Sequence, residues 1–150
     1  MPDRMLQTCD GAPQRFGGLR RVMRWAMCVF YTGAGILHIT APEKFLPIVP
    51  AWVPFPSETI LVTGACEILG GLALLFGRTA PLAGVMLALY ACCVLPANIK
   101  HAVEGIHLPP MPDSWWYHGP RLAFQPVLVW WALFCAGVID WPIKAKTKRG

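Results

Sequence analysis

The sequence predicts an all-α membrane protein, a four-helix transmembrane bundle with both termini cytoplasmic and a proline-rich interfacial first outer loop. Three observations lead to this fold class. Hydrophobic residues make up 55% of the 150-residue chain and charged residues 14%, whereas soluble domains average about 25% charged residues. The apolar residues form four stretches, each close to the roughly 20 residues needed to cross a bilayer. The basic residues are concentrated outside these stretches.

The four apolar stretches fill most of the chain, so one membrane domain is predicted at residues 20–143. A flexible cytoplasmic tail is expected at 1–19 and a basic cytoplasmic tail at 144–150. A soluble bundle would need amphipathic helices, whereas the third stretch has no charge from Pro81 to Leu95. The predicted spans are Val22–Thr40, Glu58–Phe76, Ala80–Ile99 and Pro120–Trp141.

The basic residues predict the orientation of these spans. Ten of the thirteen lie before or at the start of the first span, between the second and third, and at the C-terminus. Positive residues stay on the cytoplasmic side of a membrane, so both termini are placed inside. A net charge of +5 that is split in this way predicts contact with the lipid bilayer and no nucleic-acid partner. A cleaved signal peptide is the alternative for the first stretch, although no clear cleavage signature follows it.

The first span and the loop after it carry the first candidate residues. Tyr31, Gly35 and His38 share one face of the first helix at i, i+4 and i+7. Five prolines between residues 41 and 56 exclude a continuous helix, yet the segment is too apolar for a solvated loop. We expect it to lie at the interface, partly re-entrant, over the mouth of the bundle. Ser57 is expected to cap the second helix.

Glu67 is the most informative residue of the second span. A carboxylate near the bilayer midplane costs about 2.5–3.5 kcal/mol on insertion scales and usually faces the bundle interior. Thr63, Glu67, Gly70 and Gly71 form a polar and small stripe on one side of the helix. Two interpretations stay open: Glu67 is a neutral, hydrogen-bonded structural residue, or it has a ligand or proton role.

The third and fourth spans place further polar residues near the outer surface. Gly77 and Pro81 favour a short inner turn between antiparallel neighbours. Asn98 and His101 share a face of the third helix, as Arg121 and Gln125 do on the fourth. The loop at 105–119 brings Trp115, Trp116 and Tyr117 to an outer aromatic belt. We predict a ligand site from His38, Glu67, Asn98, Arg121 and Gln125, with Tyr31, Thr63 and His101 as secondary members.

Each member of this predicted site also has a purely structural explanation. His38 could cap its helix, Arg121 could snorkel to head groups, and Gln125 could bridge helices. Asn98 could satisfy a backbone group that Pro96 leaves open. No metal site is predicted, because the four histidines lack a ligand spacing such as H-x-x-x-H. His118 is interpreted as a loop residue. The six cysteines form no C-x-x-C motif, so no redox motif of that kind is predicted.

The ordered set of these residues resembles the DoxX family of small bacterial membrane proteins over about residues 30–141. The resemblance implies a multi-pass four-helix bundle in the bacterial inner membrane and association with redox partners; it names no established reaction. Related disulfide-handling families carry paired cysteines that this chain lacks. The matching stretches are Gly35-Ile-Leu-His38, Pro42 with Phe45, Ile48-Val-Pro50 with Pro54, the segment 63–75 around Glu67, Leu95-Pro-Ala-Asn-Ile99 and Arg121-Leu-Ala-Phe-Gln125.

Three functions are compatible with these expectations. The favoured one is a non-catalytic subunit or accessory protein that binds a quinone-like or lipid-like molecule, or a redox partner protein, in an outward-facing pocket. The second is an integral-membrane enzyme that uses Glu67 as general acid or base, although no nucleophile-plus-base pair supports it. The third is a small transporter, which would need a homo-oligomer or a large opening motion and ranks last.

Overall fold

The computed structural model describes residues 17–107 and 114–141, and within these ranges the chain is all-helical. The all-α prediction is therefore confirmed. The four helices are α1 (Gly17–Thr40), α2 (Pro56–Ala73), α3 (Ala80–Val103) and α4 (Trp115–Ala136). By length and composition, α1 and α3 are apolar enough to cross a membrane.

The helix ends differ from the predicted spans. α1 begins at Gly17, so the last residues of the predicted N-terminal tail are helical. α4 begins at Trp115 instead of Pro120, because the Ser114 side chain accepts a hydrogen bond from the amide of Trp116. It ends at Ala136 instead of Trp141, because Gly137 adopts the left-handed conformation with φ of 83°. Three segments lie outside the described residues: 1–16, 108–113 and 142–150. They contain parts of both predicted tails and of the predicted second outer loop.

The second helix is also shorter than predicted, and its start corrects one expectation. α2 ends at Ala73, before the predicted Phe76, because the chain turns at Leu74 and Leu75. Phe55, with φ of 49°, is the N-cap residue and forms no side-chain capping bond. Ser57 therefore lies inside the first turn and does not cap the helix, as expected when Pro56 already occupies the first helical position.

The four helices alternate in direction. α1 packs most closely on α2, and α3 on α4, while α1 also contacts α4 and α2 contacts α3. Arg24 near the start of α1 donates a 2.7 Å hydrogen bond to the carbonyl of Cys135 near the end of α4. The chain therefore enters and leaves the described helices at the same end, which we call the arginine end. The main apolar core lies between α1, α3 and α4 and includes Met27, Leu87 and Ala132.

Glycines allow the two tight helix contacts. A Cβ built on Gly35 would lie 2.5 Å from the carbonyl oxygen of Gly64, and one on Gly64 would lie 2.9 Å from that of Gly35. In the other pair, a Cβ on Gly84 would lie 2.7 Å from the carbonyl oxygen of Ala132. These backbones approach closely because no side chain separates them.

The proline-rich loop after α1 folds back over the helix ends opposite the arginine end. It contains two 3₁₀ turns, Pro42–Lys44 and Leu46–Ile48, which contact α1, α2 and α3. Ile48 is buried, and Nζ of Lys100 donates 2.9 Å hydrogen bonds to the carbonyls of Pro47 and Val49. The loop is thus held against the helices by a lysine on α3, and its position at a membrane interface stays a prediction.

Replacing Gly35 by alanine tests the tight contact between α1 and α2. We expect Gly35→Ala to lower the free energy of unfolding by about 1–3 kcal/mol, because the new methyl group would overlap the backbone of α2. The measurement is thermal or denaturant unfolding of the purified protein in detergent.

Gly33→Ala is the matched control, because a Cβ there meets nothing within 4 Å. It should leave stability unchanged or raise it by up to about 1 kcal/mol through helix propensity. An equal loss in both variants would contradict the close packing of α1 on α2.

Candidate functional site

His38 and Glu67 form a buried hydrogen-bonded pair between α1 and α2. Nδ1 of His38 lies 2.6 Å from Oε2 of Glu67, and their side chains are 19% and 5% exposed. The glycine contact brings the two helices close enough for this pair. Side chains tilt toward the N-terminus of their own helix, and α1 and α2 are antiparallel, so the two side chains lean toward each other.

Four further residues surround this pair. The side chain of Tyr90 on α3 interacts with those of Glu67 and Thr63. Tyr31 is 3% exposed and packs edge to face on Tyr90, with ring centroids 6.1 Å apart. The Phe45 ring from the proline-rich loop covers the His38 ring at a centroid distance of 4.2 Å. We call His38, Thr63, Glu67 and Tyr90 the glutamate cluster.

The glutamate cluster can hold or transfer a proton. One hydrogen lies between His38 and Glu67, and whether it belongs to the ring or to the carboxyl depends on the protonation state of the pair. A carboxylate buried among apolar helices is stable only when a partner satisfies it. The pair therefore fits both open interpretations of Glu67, since it joins two helices and its two side chains share one hydrogen bond.

Arg121 organises a second polar group between α3 and α4. Its guanidinium lies 2.5 Å from Nδ1 of His101 and also donates to Oδ1 of Asn98. The same guanidinium lies 5.9 Å from the centroid of the Tyr117 ring, within reach of a cation–π contact. This geometry contradicts the snorkelling explanation of Arg121, because the charge is held between two helices.

Two buried side chains beside Arg121 have polar atoms with no protein partner. His118 is 3% exposed and Gln125 is 6% exposed. Among the described residues, neither ring nitrogen of His118 has a hydrogen-bond partner, and Oε1 of Gln125 has none either. Buried polar atoms are nearly always paired with protein, water or ligand, so these atoms mark positions that a ligand could fill. We call Asn98, His101, His118, Arg121 and Gln125 the arginine cluster.

The predicted site residues thus fall into two clusters. His38, Glu67 and Thr63 belong to the glutamate cluster with Tyr31 at its edge, while Asn98, His101, Arg121 and Gln125 belong to the arginine cluster. α3 connects the two, because Tyr90 and His101 are eleven residues apart on nearly the same helix face. The joint role of these residues as one ligand site stays a prediction.

Sequence reasoning missed Tyr90 and His118. Tyr90 precedes Asn98 by about two helical turns, which the period of 3.6 residues could have revealed. His118 was expected in a loop, but it is buried in the first turn of α4 and its ring lies 4.7 Å from that of His101. The spacing of three residues between His118 and Arg121 would have placed both on one face once the helix start was known.

These features define an all-helical protein with two helices able to cross a membrane and with ionisable groups buried between apolar helices. The chain belongs to the family described as "Domain of unknown function (DUF8561)", whose family model matches residues 27–136. The matched region contains both polar clusters. No curated protein and no solved structure matches the chain, so its function has to be argued from the geometry.

A double-mutant cycle tests the pairing of His38 with Glu67. We expect His38→Phe and Glu67→Met each to lower the free energy of unfolding by about 1–3 kcal/mol, because each leaves a buried polar partner unsatisfied. The double variant should lose less than the sum, with a coupling energy of about 0.5–3 kcal/mol. Denaturant unfolding in detergent measures all four free energies.

The pair Lys100 and Glu104, whose charged atoms are 4.0 Å apart, serves as the control for the coupling energy alone, because Lys100 also binds the carbonyls of Pro47 and Val49 and its single variant will lose stability for that reason. Exposed pairs one helical turn apart couple by about 0.3–0.5 kcal/mol. Additive losses at His38 and Glu67 would show that the two side chains do not depend on each other.

Proposed function

We propose that all four helices cross a membrane. The support is the apolar outer surface of the helix assembly, which in a water-soluble protein would be an aggregation liability. Large apolar side chains point outward on every helix, including α2 and α4. Exposed examples are Val29 at 69%, Leu69 at 67%, Leu82 at 67% and Phe124 at 41%.

The proposed orientation places the arginine end in the cytoplasm of a bacterial cell, with the membrane being the inner one. Arg20, Arg21 and Arg24 lie at this end of α1, and Arg78 lies in the turn between α2 and α3. The proline-rich loop then lies at the outer surface. This arrangement follows the excess of Lys and Arg in cytoplasmic segments.

Within this membrane frame, the chain acts as a DoxX-like, non-catalytic subunit or accessory protein of a redox-linked system. It binds a quinone-like or lipid-like ligand near the outer surface. One observation carries this proposal: the unpartnered buried polar atoms of His118 and Gln125 beside Arg121. A carbonyl head group would accept hydrogen bonds from Arg121 and from an N–H of His118, while apolar helix faces would hold the tail.

The glutamate cluster gives the ligand site a source of protons. A quinone takes up protons when it is reduced, and His38 and Glu67 share a hydrogen bond at a 2.6 Å contact that could pass a proton on. α3 runs between the two clusters and carries Tyr90 and His101 on nearly one face. A redox partner protein would supply the electrons, since the proposed role of this chain is to bind and position the ligand.

The same pair supports a second candidate, an integral-membrane enzyme acting on a small or lipid-like substrate. Glu67 would act as general acid or base, and His38 would orient it or share its proton. A transporter is the third candidate and would use Glu67 as an ion or proton site. The effect of Glu67→Gln separates these candidates from the first, since ligand binding at the arginine cluster should survive it, whereas turnover or transport should not.

The ligand proposal is tested by mass spectrometry of protein purified from membranes. We expect a quinone or another carbonyl-bearing lipid to co-purify with the unaltered protein. His118→Phe and Gln125→Leu should reduce its occupancy at least tenfold, a loss of about 1.4 kcal/mol in binding. Both variants should keep a nearly unchanged melting temperature, because both ring nitrogens of His118 and Oε1 of Gln125 have no hydrogen-bond partner among the described residues.

Phe124→Leu is the matched control, because it changes an exposed position next to Gln125 on the same helix. Its ligand occupancy should equal that of the unaltered protein. Equal occupancy in all four proteins, or repeated absence of any such ligand, would contradict the proposal.

Reporter fusions test the membrane arrangement separately. We expect a fluorescent protein fused after residue 150 to fold in the cytoplasm, and alkaline phosphatase fused after Gly105 to be active outside it. Fusions after Gly77 should behave like those at the C-terminus. Phosphatase activity at Gly77, or a protein recovered from the soluble fraction, would contradict four crossings with this orientation.

A further inference from the structure

The arginine end contains a pocket that neither polar cluster uses. It has a volume of about 220 Å³ and lies between the start of α1 and the end of α2. Six residues line it: Gly17, Arg20, Arg21, Arg24, Trp25 and Leu75. Three guanidinium groups around one small pocket form a site of high positive potential.

Two of these arginines are held in place by the end of α4. Arg20 donates to the carbonyl of Ile139 at 3.1 Å and pairs with Asp140. Arg24 donates to the carbonyls of Cys135 and Ala136 at 2.7 and 3.5 Å. The carbonyls at a helix C-terminus carry partial negative charge and attract cations. The pocket wall is therefore fixed before any ligand arrives, which lowers the entropic cost of binding.

The positive charge of this pocket is only partly neutralised. Asp140 pairs with Arg20, whereas Arg21 and Arg24 have no carboxylate partner among the described residues. Nε of Arg20 is buried and has no hydrogen-bond partner in the same part of the chain. The first turn of α1 carries no acidic side chain that could offset the helix dipole. Donors and charge are thus left for an anion.

We propose that this pocket binds the phosphate of an anionic phospholipid head group. Arginine recognises phosphate through its planar fork of donors. A lipid is favoured over a free anion by the apolar side chains beside the arginines, since Trp25 is 56% and Val22 67% exposed. These two residues would contact the glycerol region and the first acyl carbons, as tryptophan does at membrane interfaces. The lipid source rests on the membrane arrangement proposed above, whereas the phosphate chemistry does not.

The test compares ligands on purified protein in a neutral detergent. Phosphatidylglycerol, phosphatidylcholine and inorganic phosphate are titrated separately, and binding is followed by native mass spectrometry and by melting temperature. We expect saturable binding and a raised melting temperature with phosphatidylglycerol, and at least tenfold weaker binding of phosphatidylcholine. Inorganic phosphate should compete only weakly, because it lacks the apolar contacts with Trp25 and Val22.

Arg21→Gln and Arg78→Gln form the matched pair of variants. Both remove one exposed arginine at the same end of the molecule, but only Arg21 lines the pocket. We expect Arg21→Gln to weaken phosphatidylglycerol binding about tenfold and Arg78→Gln to leave it unchanged. Arg24→Gln should weaken it further, with some loss of stability because Arg24 also holds α4.

Each contrary result has a distinct meaning. Equal phosphatidylglycerol binding by Arg21→Gln and Arg78→Gln would overturn the pocket and leave only diffuse attraction to negative lipids. Equal affinity for inorganic phosphate and phosphatidylglycerol would overturn the lipid as ligand and indicate a site for a free anion. If the reporter fusions contradicted the four crossings but inorganic phosphate still bound, the membrane arrangement would be refuted and the arginine site would remain supported.

Discussion

The close approach of α1 and α2 at Gly35 and Gly64 is the constraint on which the glutamate cluster depends. Two backbones in contact leave no room for side chains between them, so the polar groups one turn away must meet each other. His38 and Glu67 meet in this way at 2.6 Å. Without that contact the carboxyl group would be buried among apolar residues with no partner on α1, a state that costs several kcal/mol. Tyr90 then extends the same network to α3.

The two polar clusters differ in how completely the protein satisfies them. In the glutamate cluster each ionisable group faces a partner on another helix, and Phe45 closes it from the loop side. In the arginine cluster, Arg121 is satisfied by Asn98 and His101, but His118 and Gln125 retain unpartnered atoms. A fully paired network suits structure and proton storage, whereas an incompletely paired one suits ligand binding. This difference is why the proposal assigns the ligand to Arg121 and the proton to Glu67.

The opposite ends of the helices use basic residues in different ways. At the arginine end, Arg24 binds the carbonyl of Cys135 near the end of α4 and Arg20 binds that of Ile139 just after it, which fastens the last helix to the first. At the other end, Lys100 binds the carbonyls of Pro47 and Val49 and fastens the loop to α3. Each of these side chains has a structural task, but at the arginine end Arg21 and Arg24 have no carboxylate partner among the described residues, which leaves a surplus of positive charge there. That surplus is the physical basis for binding an anion there.

The sequence by itself determined the helical class, the approximate position of each helix and most of the polar residues inside them. These features depend on composition and local period, which a single chain carries in full. The ends of α2 and α4 were missed because Pro56, Ser114 and Gly137 act through local backbone geometry that hydropathy does not record. Only the tertiary structure decided that Glu67 meets His38 and Tyr90, that Arg121 meets Asn98 and His101, and that His118 is buried. Those contacts join residues on different helices, so helix packing rather than spacing along the chain sets their distances.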